Sequence, residues 1–158
     1  MKTLIAYYSY SGNCGVVANA LKDALNADVL ELKPVDDRIR KGLVKYIWGG
    51  KQVLSHAKPP LKPYQADWEA YDRIIIGCPV WAGSPAPAIM TFLSETKITG
   101  KKIVLFCCHL GGRGKVFDTL KTMLEGNTFA GERDFVIRDD EGRRRAQDDA
   151  AVWAKTLA

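Results

Sequence analysis

An unbroken apolar segment that runs straight into small hydroxyl and glycine residues constrains a chain to a strand, a tight loop and a helix. The passage Leu4-Ile5-Ala6-Tyr7-Tyr8-Ser9-Tyr10-Ser11-Gly12-Asn13-Cys14-Gly15 has that form. The first N–H groups of a helix have no intrahelical partner and converge at its start, where the dipole adds partial positive charge. Such a point suits an anion, and Ser9, Ser11 and Asn13 offer further donors to phosphate oxygens. The loop holds no lysine or arginine, so backbone and neutral side chains are expected to do the neutralising. Taken alone, Ser-x-Ser-Gly reads equally as an N-capped helix after a strand.

Two further segments repeat the pattern. Ile74-Ile75-Ile76-Gly77-Cys78 leads into Pro79-Val80-Trp81-Ala82-Gly83-Ser84-Pro85-Ala86-Pro87, a Pro/Gly loop with an aromatic at its tip. Ile103-Val104-Leu105-Phe106-Cys107-Cys108 leads into His109-Leu110-Gly111-Gly112-Arg113-Gly114. Continuous apolar runs bounded by turn residues suit strands covered on both faces, as in a parallel sheet. All three loops then leave from the carboxyl ends of strands, where open α/β sheets bind their ligands.

With these motifs the chain resembles the flavodoxin-like family, in the group of short-chain flavodoxins and FMN-reductase-like proteins. Ser9-Tyr10-Ser11-Gly12-Asn13-Cys14 is similar to that family's phosphate loop, Pro79 to Pro87 to the loop flanking the isoalloxazine ring, and His109 to Gly114 stands in the place of the third flavin loop. With Glu31-Leu32-Lys33-Pro34 to Tyr64 also family-like, the likeness covers nearly the whole chain. The resemblance implies a flavodoxin-like α/β fold, a three-layer doubly wound sandwich on a five-stranded parallel sheet of order 2-1-3-4-5. Flavodoxin itself is the standard illustration of that order, with FMN at the switch point between strands one and three.

The implied cofactor is therefore FMN, bound non-covalently. Its phosphate falls to Ser9, Tyr10, Ser11, Gly12, Asn13 and Cys14, its ring to Pro79, Val80, Trp81, Ala82 and Gly83, and a third wall to His109, Gly111 and Gly112. The Trp81 indole can lie flat on a flavin, and His109 can reach the pyrimidine edge or tune proton uptake. The family usually has Thr where Cys14 stands, and a thiol donates far more weakly than a hydroxyl. Other phosphate and thiol chemistries do not match. Gly114-Lys115 is followed by Val116 rather than Ser or Thr, and Ala20 stands where a thiol phosphatase needs arginine after Cys14.

Between the loops, covering helices are expected on the stripes Val17, Ala20, Leu21, Ala24, Leu25; Ile89 and Leu93, after Ser84 as N-cap and Pro85 at the first helical position; Val116, Phe117, Leu120, Leu124, ended by Gly126; and Ala146, Ala150, Trp153, Leu157. Asp28 to Val35 and Phe135 to Arg138 supply the remaining strands. With 158 residues, 47% of them apolar, and no Ser/Gly-rich linker, the expectation is a single domain over 1–158. Neither a signal-peptide pattern nor a membrane-length apolar run is present, which predicts a cytoplasmic protein with no membrane span.

Cys14, Cys78, Cys107 and Cys108 have no metal-ligand spacing and are expected reduced, with Cys14 at a helix start having a lowered pKa when no phosphate is bound. A basic insertion or covering helix is expected at about 36–64. From Arg38 to Lys62 the chain carries Arg38, Arg40, Lys41, Lys45, Lys51, Lys58 and Lys62 with no acidic residue. Within it Leu43, Ile47, Val53 and Leu54 line one helical face, with Lys41 and Lys45 on another near Tyr46 and Trp48. This segment can dock an acidic redox partner or attract the phosphates of NAD(P)H. No nucleic-acid motif is present, and no nucleic-acid partner is expected. Three functions follow: an electron carrier working through FMN with a redox partner protein, an NAD(P)H- or quinone-dependent FMN oxidoreductase, and a flavin-binding regulatory or interaction module. None requires a catalytic acid-base dyad, because the ring would carry the chemistry.

Overall fold

The apolar runs become the interior of a parallel sheet. A computed structural model describes residues 1–36, 38 and 43–157. Its elements are β1 (Thr3–Tyr7), α1 (Asn13–Leu25), β2 (Asp28–Glu31), α2 (Leu43–Leu54), β3 (Arg73–Trp81), β4 (Ser84–Pro85), α3 (Pro87–Glu95), β5 (Lys102–His109), α4 (Val116–Met123), β6 (Thr128–Val136) and α5 (Asp140–Leu157). The strands lie in the order β2-β1-β3-β5-β6, all parallel, and the two-residue β4 folds back antiparallel on β3. With β4 set aside, this is the expected 2-1-3-4-5 order.

Strand alternation divides the core into two layers. Ile74, Ile76, Leu105 and Cys107 join Ile89 and Phe92 of α3 and Leu120 of α4 on one face of the sheet. Ile5, Ile75, Val104 and Phe106 join Val17 and Leu21 of α1 and Ala146, Ala150 and Trp153 of α5 on the other. Helices therefore cover both faces, the arrangement that continuous apolar strands require. The expected stripes are buried apart from Ala24, which is exposed, and Leu25, which is half-buried.

Four expectations are corrected. The second strand stops at Glu31, short of Val35. The last strand begins at Thr128, well before Phe135, and ends at Val136. Thr128 to Arg133 is an edge segment, mostly exposed and so not apolar, with a bulge that leaves Ala130 without a partner on β5. Ser84 and Pro85 do not start a helix but pair with Trp81 and Val80. Helix α3 starts instead at Pro87, in the favoured first position, after Ala86.

The fourth correction concerns α2. Of its apolar stripe, Leu43, Ile47 and Leu54 face outward at 73%, 63% and 81% exposure, and only Val53 is half-buried. The covered side holds Gly49, which lies against Trp81 closely enough that a Cβ there would make ordinary van der Waals contact with the ring at 3.5 Å. Arg40, Lys41 and the Tyr46 side chain lie outside the described residues. The segment closes on itself where Val35 N donates to Pro60 O at 2.8 Å and Lys62 N to Lys33 O at 2.7 Å.

Candidate functional site

The loops after β1, β3 and β5 meet at one end of the sheet and enclose a cleft of about 390 Å³. Ser9, Tyr10, Ser11, Asn13 and Cys14 line it from the first loop, Pro79, Val80, Trp81, Ala82 and Gly83 from the second, and His109, Gly111 and Gly112 from the third. Gly12 does not line the cleft; at φ +88° it is the left-handed residue that caps α1. Lys45, Gly49 and Gly50 of α2, Cys108 and Leu110 complete the wall. Sequence reasoning did not include these five in the site. Among the described residues no acidic side chain lines the cleft.

The first loop is held open around the start of α1. Ser9 Oγ accepts from Gly15 N at 3.1 Å, which satisfies one of the helix's orphan donors and leaves the hydroxyl proton free to donate elsewhere. Asn13 Oδ1 accepts from Arg143 Nη2 at 2.9 Å and Nε at 3.2 Å, across 130 positions of chain. A cation therefore stands at a loop that contains none.

The second loop is a tight hairpin. Ala82 and Gly83, its two central residues, have φ +48° and +75°, as a type I′ turn requires. This turn projects Trp81 into an aromatic cluster. The Trp81 ring lies 5.4 Å from Tyr10 and from Trp48 and 6.1 Å from Tyr8, all edge-on. The indole thus packs against α2 and borders the cleft at once.

The third loop is tied at several points. His109, only 6% exposed in its side chain, shares a hydrogen bond between Nε2 and Asp134 Oδ2 at 2.9 Å, while its buried Nδ1 has no partner. The His109 hydrogen bond and the Arg113 guanidinium hold the Asp134 carboxyl below the usual carboxylate range, against partial burial, which raises it. His109 is therefore a nearly buried side chain paired with the partly exposed Asp134. Arg138 Nε donates to Leu110 O at 2.5 Å. Lys115 N donates to Gly83 O at 2.9 Å, bringing the second and third loops into backbone contact.

The thiols behave differently from a reactive helix-start cysteine. All four are free and buried, and Cys78 stands opposite Cys107 in the β3–β5 register. Burial pushes the Cys14 thiol well up, and its hydrogen bond with the Cys108 thiol adds to this, opposite to the lowering that the dipole alone predicts. Burial also raises Cys78, to about 12, and Cys107. Iodoacetamide at mildly alkaline pH should therefore label no cysteine of the native protein at an appreciable rate and all four after urea unfolding. Rapid native labelling of Cys14, read by peptide mass, would contradict the burial.

Among the described residues no helix is long and apolar enough to cross a membrane, and no His, Cys, Asp and Glu group could hold a metal ion. A doubly wound sheet with its cleft at the β1–β3 switch point defines a nucleotide- or flavin-binding class of fold. The chain belongs to the flavodoxin family, whose model matches residues 2–133.

Solved structures agree. The FMN complex of a flavoprotein from Lactobacillus acidophilus is similar at 25% identity and TM-score 0.73, over 91% of this chain and 97% of that one. A Bacteroides uniformis protein superposes with TM-score 0.80 at 20% identity, over 98% of this chain and 97% of that one. The two-electron reduced flavodoxin of Megasphaera elsdenii gives 0.57 at 20% identity, over 97% and 98%. No curated protein matches the chain in sequence.

Proposed function

We propose that the cleft binds FMN without a covalent bond and that the protein transfers electrons through it. The observation that carries this reading is the donor set. A hydroxyl-rich helix start, an aromatic and apolar slot at Val80 and Trp81, and a glycine-lined wall at Gly111 and Gly112 surround one cleft that no carboxylate lines among the described residues. These match, in sequence around the rim, the needs of a phosphate, a planar ring and a polar ring edge. Family membership and the FMN complex of the similar Lactobacillus acidophilus flavoprotein support the same ligand.

When bound, FMN would supply reversible one- and two-electron chemistry. The chain's own residues then have defined tasks. Ser9, Ser11, Asn13 and the first amides of α1 hold the phosphate; Pro79 to Gly83 set one side of the ring, with Trp81 excluding water there. His109, fixed by Asp134, presents a buried polar group at the third wall, beside Gly111 and Gly112. Cys14 contributes its backbone N–H, since its thiol is engaged with Cys108.

A second reading, an NAD(P)H- or quinone-dependent oxidoreductase, is favoured by Lys45, which reaches the cleft from α2 and can attract the phosphates of a nicotinamide substrate. The carrier reading expects a redox partner protein of acidic surface to meet the basic segment around α2.

Titration of the apo protein with FMN and with riboflavin, followed by flavin fluorescence, tests the ligand. Tight quenching by FMN and weak quenching by riboflavin is the expected result, and no quenching by FMN would overturn the assignment. Mixing the loaded protein with NADH or NADPH then separates the two activities, since rapid bleaching marks the oxidoreductase and slow bleaching the carrier.

A further inference from the structure

Arg143 sits in the first turn of α5, outside the stretch that the family model matches, yet its guanidinium grips the first loop. Two features make this more than a helix–helix tie. Arg143 is half-buried, and no carboxylate pairs with it among the described residues. Its Nε and Nη2 both point at the neutral Oδ1 of Asn13. A partly desolvated cation held by an amide oxygen alone has an unspent capacity for an anion.

The second feature is what the contact does to Asn13. Arginine carries only donors, so the atom that faces it must be the amide oxygen, and the NH2 group must turn the other way. No described residue accepts from that NH2, and Asn13 lines the cleft. The α5 start is fixed independently, because Asp139 Oδ1 accepts from Gly142 N at 2.7 Å and Asp139 O from Arg143 N at 3.0 Å. Two helices of one layer are thus locked so that a positive charge and an outward amide donor stand at the same loop.

We propose that Arg143 is the positioning and charge-supplying residue of the phosphate subsite, the element by which this protein selects a phosphorylated flavin over its dephosphorylated form. The proposal rests on the FMN reading above. It also answers the absence of any lysine or arginine in the loop, since the cation arrives from α5. Charge acting through Asn13 adds to the helix-start amides and should make FMN affinity fall with salt.

The experiment compares wild type, Arg143→Gln and Arg143→Lys, each titrated with FMN and riboflavin at low and high salt, with melting curves confirming the fold. Wild type should prefer FMN. Arg143→Gln should bind FMN about 10- to 100-fold more weakly, the loss expected of a charge-assisted contact, and should show a flatter salt dependence with riboflavin affinity nearly unchanged. Arg143→Lys should recover part of the preference through its charge. Equal losses for FMN and riboflavin in Arg143→Gln would overturn the proposal by making Arg143 a purely structural tie. An unchanged FMN affinity would also overturn it, while leaving the FMN reading intact. Wild type that binds neither flavin would overturn both.

Discussion

Phe106→Ala is expected to destabilise the fold by about 3–5 kcal/mol, the usual cost of removing a buried phenylalanine. Phe106 is fully buried at the centre of β5, and its ring lies over Gly77 on the neighbouring strand. A Cβ on Gly77 would stand 2.0 Å and 2.2 Å from two carbons of that ring, well inside contact distance. Phe135 meets the ring edge-on at 6.4 Å and limits its escape. Glycine at 77 is thus required by packing and not by backbone conformation. Gly77→Ala should cost about 1–3 kcal/mol through overpacking. The two substitutions compete for one volume, so the double variant should be more stable than additivity predicts, by about 0.5–3 kcal/mol. Urea unfolding of the four proteins measures this, and strict additivity would show that the ring and the glycine do not share that space.

That glycine was visible in the sequence only as the end of an apolar run. What was legible there was periodic: the three interior strands, the covering stripes and the sheet order that the family resemblance carries. Edge elements were less legible for a physical reason. β6 has one open side and one sheet neighbour, so Thr128 to Arg133 has no need of apolar residues and hides its strand character. Ser84-Pro85-Ala86-Pro87 offers two places for a helix to begin, and the turn at Ala82-Gly83 decides between them by pairing Ser84 and Pro85 with β3.

At the cleft, residues on the three loops were legible because each loop is continuous in sequence, and 13 of the 14 residues assigned to them line it. Arg143 was not, because nothing local to α5 marks it; only the packing of α5 beside α1 brings it to Asn13. Helix α2 shows the converse. Its residues Leu43, Ile47, Val53 and Leu54 were legible as one helical face, but not the direction of that face: Gly49 lies toward Trp81, while Leu43, Ile47 and Leu54 are exposed and Val53 is half-buried.

Gly114→Ala is expected to weaken FMN binding about 10- to 100-fold, equivalent to about 1.4–2.7 kcal/mol. Gly114 has φ +55°, where an alanine costs about 1–2 kcal/mol. Its added Cβ would stand 2.4 Å from Gly83 O and 2.5 Å from Gly83 Cα. Both are backbone atoms of the tight hairpin, so no side chain can swing away to make room. Either the third loop lifts or the hairpin opens, and each breaks the Lys115 N to Gly83 O bond that joins the two ring walls. The phosphate loop takes no part in this contact. Riboflavin affinity should therefore fall by the same factor as FMN affinity, the opposite of the selectivity loss expected for Arg143→Gln. Gly100→Ala is the control, since it has a comparable left-handed φ of +71° but a Cβ there meets nothing within 4 Å and the residue does not line the cleft. FMN and riboflavin bound by Gly114→Ala as tightly as by wild type would show that the two loops shape the ring site independently, and that their backbone contact serves the fold alone.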